Sequence, residues 1–335
     1  MKKRLLIALI FLVVMILVFI ACGVIYSINS DYDNIGKIPG SITEDNIDNE
    51  NNNSNNIGEV DNNSNINDNK KDTTVSNEHD SDNIENVDKT EDDDECSDRS
   101  SEEFESLSSE KISWWYVPNS NHEVPGINDN LSFNILDYGA MYIGDTDRKV
   151  LYLTMDEGYE NGYTSKILDT LKDNDVKATF FVLSSYIKEN PELVQRMVDE
   201  GHVVGNHSKK HIDPTTLTDN KEKYEDEILA VEDDFKSLTG RNMTKYYRPP
   251  EGAYSQKSLQ MNENLGYKTV FWSFAYKDWE IDNQPDPQVA KEKILGSIHN
   301  GAIILLHPIS STNAEVLDDV IKEAKNMGYT FEVLP

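Results

Sequence analysis

The sequence predicts an α/β fold, a parallel sheet with helices packed outside it. Three observations carry that expectation. From Val150 to the end, apolar runs of strand length alternate with stretches of helical periodicity. The helical stretches begin and end on recognisable cap residues. Residues able to do chemistry fall just past the apolar runs, where the strands of a parallel sheet deliver their loops. An open doubly wound sheet and a closed barrel both satisfy this alternation.

In chain order, Met1-Lys2-Lys3-Arg4 precedes an uncharged apolar run from Leu5 to Ile28. About two dozen residues at ~1.5 Å each suffice to cross a bilayer core. Basic residues before the run and acidic ones after it place the N-terminus inside and the remainder outside. Residues 1–28 are therefore expected to be an uncleaved single-pass anchor, with the rest of the chain extracytoplasmic. A cleaved signal peptide is disfavoured because no small-x-small site ends the run. A lipoprotein at Cys22 is the lesser alternative, since the apolar run continues through Val24 and Ile25.

Residues 29–110 are dominated by Asn, Asp, Glu and Ser, as in Asn51-Asn52-Asn53 and Glu91-Asp92-Asp93-Asp94-Glu95. Apolar residues are too sparse there for burial to offset chain entropy, so the segment reads as a disordered acidic tether. A flexible chain of that length has an r.m.s. span of roughly 50 Å.

Hydrophobic patterning begins near Ile112, and residues 111–335 are expected to form the folded domain. Trp114-Trp115-Tyr116 either cap the domain edge, the favoured reading, or stack on sugar rings. The runs Val150–Met155, Ala178–Val182, His202–Gly205, Lys245–Tyr247, Lys268–Phe271, Ala302–Leu306 and Thr330–Val333 read as strands. Asn190-Pro191 opens a helix that Gly201 closes. Tyr224, Ile228, Val231, Phe235 and Leu238 trace one face of a helix that ends at Gly240. Thr312-x-x-Glu315 reads as a capping box opening a helix that closes before Gly328.

The formal charge of −30 argues against a nucleic-acid partner, which needs a basic footprint. GxGxxG and GxxxxGK phosphate loops are both absent, so a nucleotide is not expected either. The two cysteines, Cys22 in the apolar run and Cys96 in the acidic tract, offer neither a structural disulfide nor a thiolate zinc site. Any metal must use His, Asp or Glu.

With seven histidines in 335 residues, His207 and His211 four positions apart stand out. At i and i+4 two imidazoles share one face of a helical turn, within reach of one ion. The bland alternative is a polar loop, and Lys209 and Lys210 would repel a cation unless they point away. Other strand ends add Asp156-Glu157, Arg248-Pro249-Pro250-Glu251, Asp278-Trp279 and Leu305-x-His307. Singly these read as a solvated turn, a rigid turn or a core histidine. Together they converge on one rim as a hydrolytic metal site.

Thr154-Met155-Asp156-Glu157-Gly158, His207-Ser208-x-x-His211, Arg248-Pro249-Pro250, Asp278-Trp279 and Leu305-x-His307 resemble, in order, the motifs of the polysaccharide deacetylase (NodB-homology) family, the fourth carbohydrate esterase family. The resemblance spans about residues 112 to 335. Asp156-Glu157-Gly158-Tyr159-Glu160-Asn161-Gly162-Tyr163, Asn121-His122-Glu123 and Phe271-Trp272-Ser273-x-Ala275 are most similar to its δ-lactam-biosynthetic de-N-acetylases, which act on muramic acid in the peptidoglycan of the spore cortex. The resemblance implies a distorted (β/α) barrel and N-deacetylation of a cell-wall amino sugar, with peptidoglycan glycan strands as partner.

It also implies roles. His207 and His211 would hold a divalent metal, zinc by ligand type with cobalt or manganese as substitutes. Asp156 would take the proton of the attacking water, and His307 would give one to the leaving amine. The oxyanion would meet the backbone N–H of Glu251, Leu305 would wall the acetyl methyl, and Asp278 and Trp279 would line the substrate groove. Arg248 would pair with Asp156 or Asp278. The chain departs from the family at three places. Glu157 replaces the usual Asp ligand and binds the metal, binds it through water, or turns away. Glu251 replaces an aromatic residue. Ala275 replaces the Asp that tunes the acid histidine, leaving His307 without that partner. A glucosamine deacetylase is the alternative enzyme, and a decayed glycan-binding protein the alternative outside catalysis.

Overall fold

The strand that organises the sheet, Val150–Glu157, is buried at every position, so no polar–apolar alternation marks its two faces. The structure is a computed structural model that describes residues 101–128 and 130–335. The expected membrane anchor and most of the expected tether lie outside the described residues. Among the described residues no helix is long and apolar enough to cross a membrane.

The elements run α1 (Ser101–Glu105), β1 (Ile112–Ser113), β2 (Tyr116–Val117), β3 (Gly126–Ile127), β4 (Val150–Glu157), α2 (Thr164–Asp173), β5 (Thr179–Val182), α3 (Ser184–Glu189), α4 (Pro191–Asp199), β6 (Val203–Asn206), α5 (Lys221–Thr239), β7 (Tyr246–Tyr247), β8 (Ala253–Tyr254), α6 (Gln256–Asn264), β9 (Lys268–Thr269), α7 (Pro287–Ser297), β10 (Ala302–Leu306), α8 (Ser311–Asn326) and β11 (Thr330–Glu332). A seven-stranded sheet has the order β10-β4-β5-β6-β7-β9, with β11 also on β4. Every pairing in it is parallel. The chain beyond β9 then reaches the other edge: Ser273 N–H donates to Ile303 O (2.9 Å) and Leu305 N–H to Phe274 O (2.8 Å). The sheet thus curls towards itself, giving the distorted barrel expected of the family.

Side-chain parity splits the core in two. Leu151, Leu153, Met155, Phe180, Val182, Val204, Ile304 and Leu306 face outward to a cluster that includes Leu168 and Leu171 of α2 and Val316, Leu317, Val320 and Ile321 of α8. Val150, Tyr152, Phe181, Ile303 and Leu305 face inward with Trp114, Tyr254 and Phe271. Gly205 faces Phe181 so closely that a Cβ there would lie 3.0 Å from the ring and 3.1 Å from Tyr246 O, so a larger residue would require the neighbours to shift.

The expected strands all form; Ala302–Leu306 keeps its expected bounds and the others are shifted, trimmed or extended by a residue or two, which is ordinary at element ends. α5 ends, as expected, on Gly240 in left-handed geometry. The cap of α8 differs. Ser310, not Thr312, accepts the Asn313 N–H. Thr312 Oγ1 instead donates to Pro285 O (2.8 Å), and a better-placed hydroxyl two residues earlier takes the cap. Trp114 and Tyr116 cap the domain edge. Trp114 stacks on Phe271 at 4.4 Å and donates to Trp272 O, and Tyr116 Oη bonds Ala275. Only Trp115 is substantially exposed.

Candidate active site

The site is assembled by strands that stop at the same end of the sheet and by residues that share the inward parity. Asp156 follows Val150, Tyr152 and Thr154 on the inner face of β4. His307 follows Ile303 and Leu305 from β10, and His207 follows Gly205 from β6. Backbone bonds carry the ladder past the strand ends: His207 N–H donates to Val182 O (3.0 Å) and Arg248 N–H to Asn206 O (2.9 Å).

Arg248 is the hub. It is fully buried, with its guanidinium 4.2 Å from the Phe181 ring centroid. Nη1 donates to Asp156 Oδ1 (2.7 Å) and Nη2 to Thr154 Oγ1 (2.9 Å), while Nε donates to Val270 O (3.2 Å). Of the two acidic partners expected for Arg248, the fold selects Asp156. Burial pushes the Asp156 carboxyl up, but Arg248, then His207 and His307, outweigh it and hold the acid below its usual range. The second oxygen, Oδ2, lies 3.7 Å from His207 Nε2.

His207 donates its Nδ1–H to Arg248 O (2.9 Å), which fixes the tautomer and leaves Nε2 with its lone pair. His207 and His211 stand 5.0 Å apart, ring centroid to centroid, at 74°. They do not meet on a helical turn, as the i, i+4 spacing predicts. The chain turns through left-handed backbone at Ser208 (φ 81°) and His211 (φ 59°). Asn206 Oδ1 accepts the Ser208 N–H, Ser208 Oγ accepts the His211 N–H, and Glu227 accepts from Lys209 and Lys210. Lys209 points away to Asp226 (2.9 Å), so it does not repel a cation at the imidazoles. Burial pushes both imidazoles down; His211, with His207 beside it, falls to about 3. Both are therefore neutral near pH 7.

With Ala275 in the place of the usual Asp, the sequence leaves another group, or none, to set the His307 pKa. Asp278 is that other group, accepting from Nδ1 (2.7 Å) and from the His307 backbone N–H (2.9 Å). Asn313 Nδ2 braces the same carboxylate at 2.6 Å. Burial pushes the His307 imidazole down, but the charge and hydrogen bond of Asp278 outweigh it and hold the ring above its ordinary value. Asp278 is wholly buried and so lies behind His307 rather than in the substrate groove. Trp279 packs its ring edge-on to His307 at 5.5 Å. Nothing in the sequence singles out Asn313, which reaches the site only through the packing of α8.

Glu157 does not join the cluster. On β4 it has the outward parity, and Oε1 accepts from Thr164 Oγ1 on α2 (3.3 Å). Burial, then Glu160, pushes this carboxyl well above its usual range, and Oε2 has no hydrogen-bond partner. Of the three options for Glu157, the structure takes the one in which it turns away. Glu251 sits in left-handed backbone (φ 57°), and its side chain lies beside Lys111 (3.7 Å).

Among the described residues no group of three His, Cys, Asp or Glu is placed to hold a metal ion, which leaves the two imidazoles as the candidate donors. The donors nonetheless fit an open site. Two neutral imidazoles lie side by side, edge to ring, and one is oriented by a carbonyl at its far nitrogen, the usual outer-shell arrangement of a metal-binding histidine.

Residues 143–270 match the polysaccharide deacetylase family. The chain is 44% identical over 228 residues, 68% of its length and 86% of the relative's, to the peptidoglycan-N-acetylmuramic acid deacetylase PdaA of Bacillus subtilis. The solved structure of that enzyme, a family 4 carbohydrate esterase, superposes with a TM-score of 0.65 at 43% identity, covering 68% of this chain and 96% of the other. Peptidoglycan-N-acetylglucosamine deacetylase PgdA of Listeria monocytogenes is 37% identical over 183 residues, covering 55% of this chain and 37% of the relative. The chain belongs to the polysaccharide deacetylase family, hydrolases that act on carbon–nitrogen bonds. Deacetylases of this family are generally metal-dependent.

Proposed function

We propose that this protein removes the N-acetyl group from N-acetylmuramic acid in peptidoglycan, preparing muramic δ-lactam in the spore cortex. Residues 1–28 would hold it at the cell membrane with the domain extracytoplasmic. One observation carries the reading. Asp156, whose carboxyl Arg248 holds below its usual range, and His307, whose ring Asp278 holds above its ordinary value, adjoin two imidazoles on one rim. That is the base-and-acid pair that amide hydrolysis needs, with the two pKa values pushed apart. The muramic substrate is favoured over glucosamine because the PdaA match spans most of both domains, whereas the PgdA match spans a smaller part of each chain.

His207 and His211 would hold a divalent ion, zinc by ligand type, which would supply positive charge to polarise the acetamide carbonyl and acidify water. Asp156 then takes the proton of the attacking water through Oδ2, since Oδ1 is engaged by Arg248. The backbone N–H of Glu251 donates to the developing oxyanion. Leu305, inward-facing two residues before His307, walls the acetyl methyl. His307 passes a proton from Nε2 to the leaving nitrogen, and Asp278 stabilises the imidazolium until it does so.

Mass analysis of muropeptides, after peptide-trimmed peptidoglycan is treated with the protein and added zinc, tests this. Muramic residues should lose one acetyl group, and Asp156→Asn and His207→Ala should abolish the loss. Deacetylation confined to glucosamine would replace the muramic reading with the glucosamine one. No release from either sugar would favour a glycan-binding protein without turnover.

A further inference from the structure

The segment just before the sheet reaches the site through one residue that the proposed chemistry does not use. Lys111 Nζ lies 2.7 Å from Asp213 Oδ2 and 3.7 Å from Glu251 Oε2. Asp213 stands two residues after His211 and caps the turn Pro214–Leu217 through Thr215. Glu251 is the residue whose N–H faces the oxyanion in the proposed mechanism. The two loops come from different strands, β6 and β7, and each contains a non-glycine residue forced into left-handed backbone, His211 at φ 59° and Glu251 at φ 57°. Such backbone persists only where the surroundings over-determine it.

The segment that carries Lys111 is itself firmly seated. β1 pairs antiparallel with β8, directly after the Glu251 turn. Trp114 N–H donates to Gly252 O (2.9 Å), and Lys257 N–H donates to Ser108 O (2.9 Å). Lys111 therefore starts from a fixed backbone and adds a side-chain link between two loops whose bases are joined by the Arg248 N–H to Asn206 O and His207 Nδ1–H to Arg248 O bonds.

We propose that Lys111 is a positioning residue for the deacetylation site, tying the His211 loop to the Glu251 turn and so setting the distance between the imidazole pair and the oxyanion donor. This rests on the function proposed above. An exposed ion pair contributes little to global stability, and Lys111 is 45% exposed, so its effect belongs in kcat rather than in the melting temperature. The lysine would be needed although it lies outside the stretch, residues 143–270, that matches the family.

Lys111→Met and Lys111→Arg in the full chain test the proposal. Lys111→Met should lower kcat about tenfold with KM changed by less than about twofold, and Lys111→Arg should recover most of the rate. Asp213→Asn should lower kcat similarly, and the double variant should fall no further, because both remove one link. An independent readout needs no substrate: amide exchange at residues 208–213 and 251–252 should speed up by about tenfold in Lys111→Met, with the strands unchanged. Unaltered exchange at both loops overturns the proposal whichever glycan is the substrate. A loss of kcat that arginine fails to rescue, accompanied by a fall in melting temperature, overturns it in favour of a structural role. Absence of deacetylation by the wild type, with loop exchange altered as expected, would overturn the assigned reaction but not the clamp.

Discussion

Asp156 and Glu157 are neighbouring carboxyls on one strand, and the fold gives them opposite chemistry. Asp156 faces inward, where a buried guanidinium meets one oxygen at 2.7 Å and the acid is held below its usual range. Glu157 faces outward beneath α2, where it finds a hydroxyl and a second acid, Glu160, and is pushed well above its usual range. Both are nearly excluded from water. Burial alone therefore does not set the ionisation of a carboxyl; the partner waiting on that face of the sheet does. A strand's period of two makes the difference as large as it can be between adjacent residues.

The comparison breaks most sharply at the base. Asp156→Asn should lower kcat by roughly 10³-fold, the scale of a general base, with folding intact by circular dichroism. Glu157→Gln, one residue away and outward-facing, should keep activity within about threefold in the same assay. A collapse of activity in Glu157→Gln would return that side chain to the metal.

Arg248→Met removes what makes the two acids different. It leaves Asp156 buried without its cation, so kcat should fall by about 10²-fold, and breaking a buried pair should cost about 3–5 kcal/mol in a denaturant titration. If the pair serves ionisation rather than packing, the acid limb of kcat/KM should also move to higher pH.

A smaller effect should come from the acid side. With Asp156 depressed and His307 raised, kcat/KM should fall at low pH as Asp156 protonates and at high pH as His307 loses its proton. Asp278→Asn removes the group that raises His307, so the alkaline limb should shift to lower pH while the acid limb stays. Rates measured across the pH range with saturating zinc check this, and an alkaline limb that does not move would show that another group donates the proton.

The smallest effect is on stability. Glu157 is raised on folding, so the folded state holds its proton more tightly than the unfolded one. Its contribution is favourable at low pH and declines as pH rises above the unfolded value near 4.5, until the folded group also ionises. Glu157→Gln should remove that decline. Its melting temperature should match the wild type in acid and exceed it by roughly 2–4 °C at neutral pH. A gap that narrows with rising pH would contradict the assigned direction.

The sequence determined a good deal by itself. The alternation of strands and helices was legible because some helices advertise their ends, as α4 does with Pro191 at its start and α5 with Gly240 at its close. The chemical residues were legible because parallel strands place their loops at one end, which puts Asp156, His207, Arg248 and His307 on one rim. What tertiary structure alone decided was direction and pairing. Val150–Met155 is apolar on both faces, so nothing in it says which parity is interior, and the fate of Glu157 against Asp156 stayed open. The i, i+4 histidines met through left-handed turns braced locally by Asn206 and Ser208 and from a distance by Glu227, which helical spacing does not encode. The partner of His307 came from Asp278, close in space but 29 residues away in the chain. Residue type and order fix what chemistry is available; the contacts made when distant strands close on one another fix which proton each group holds.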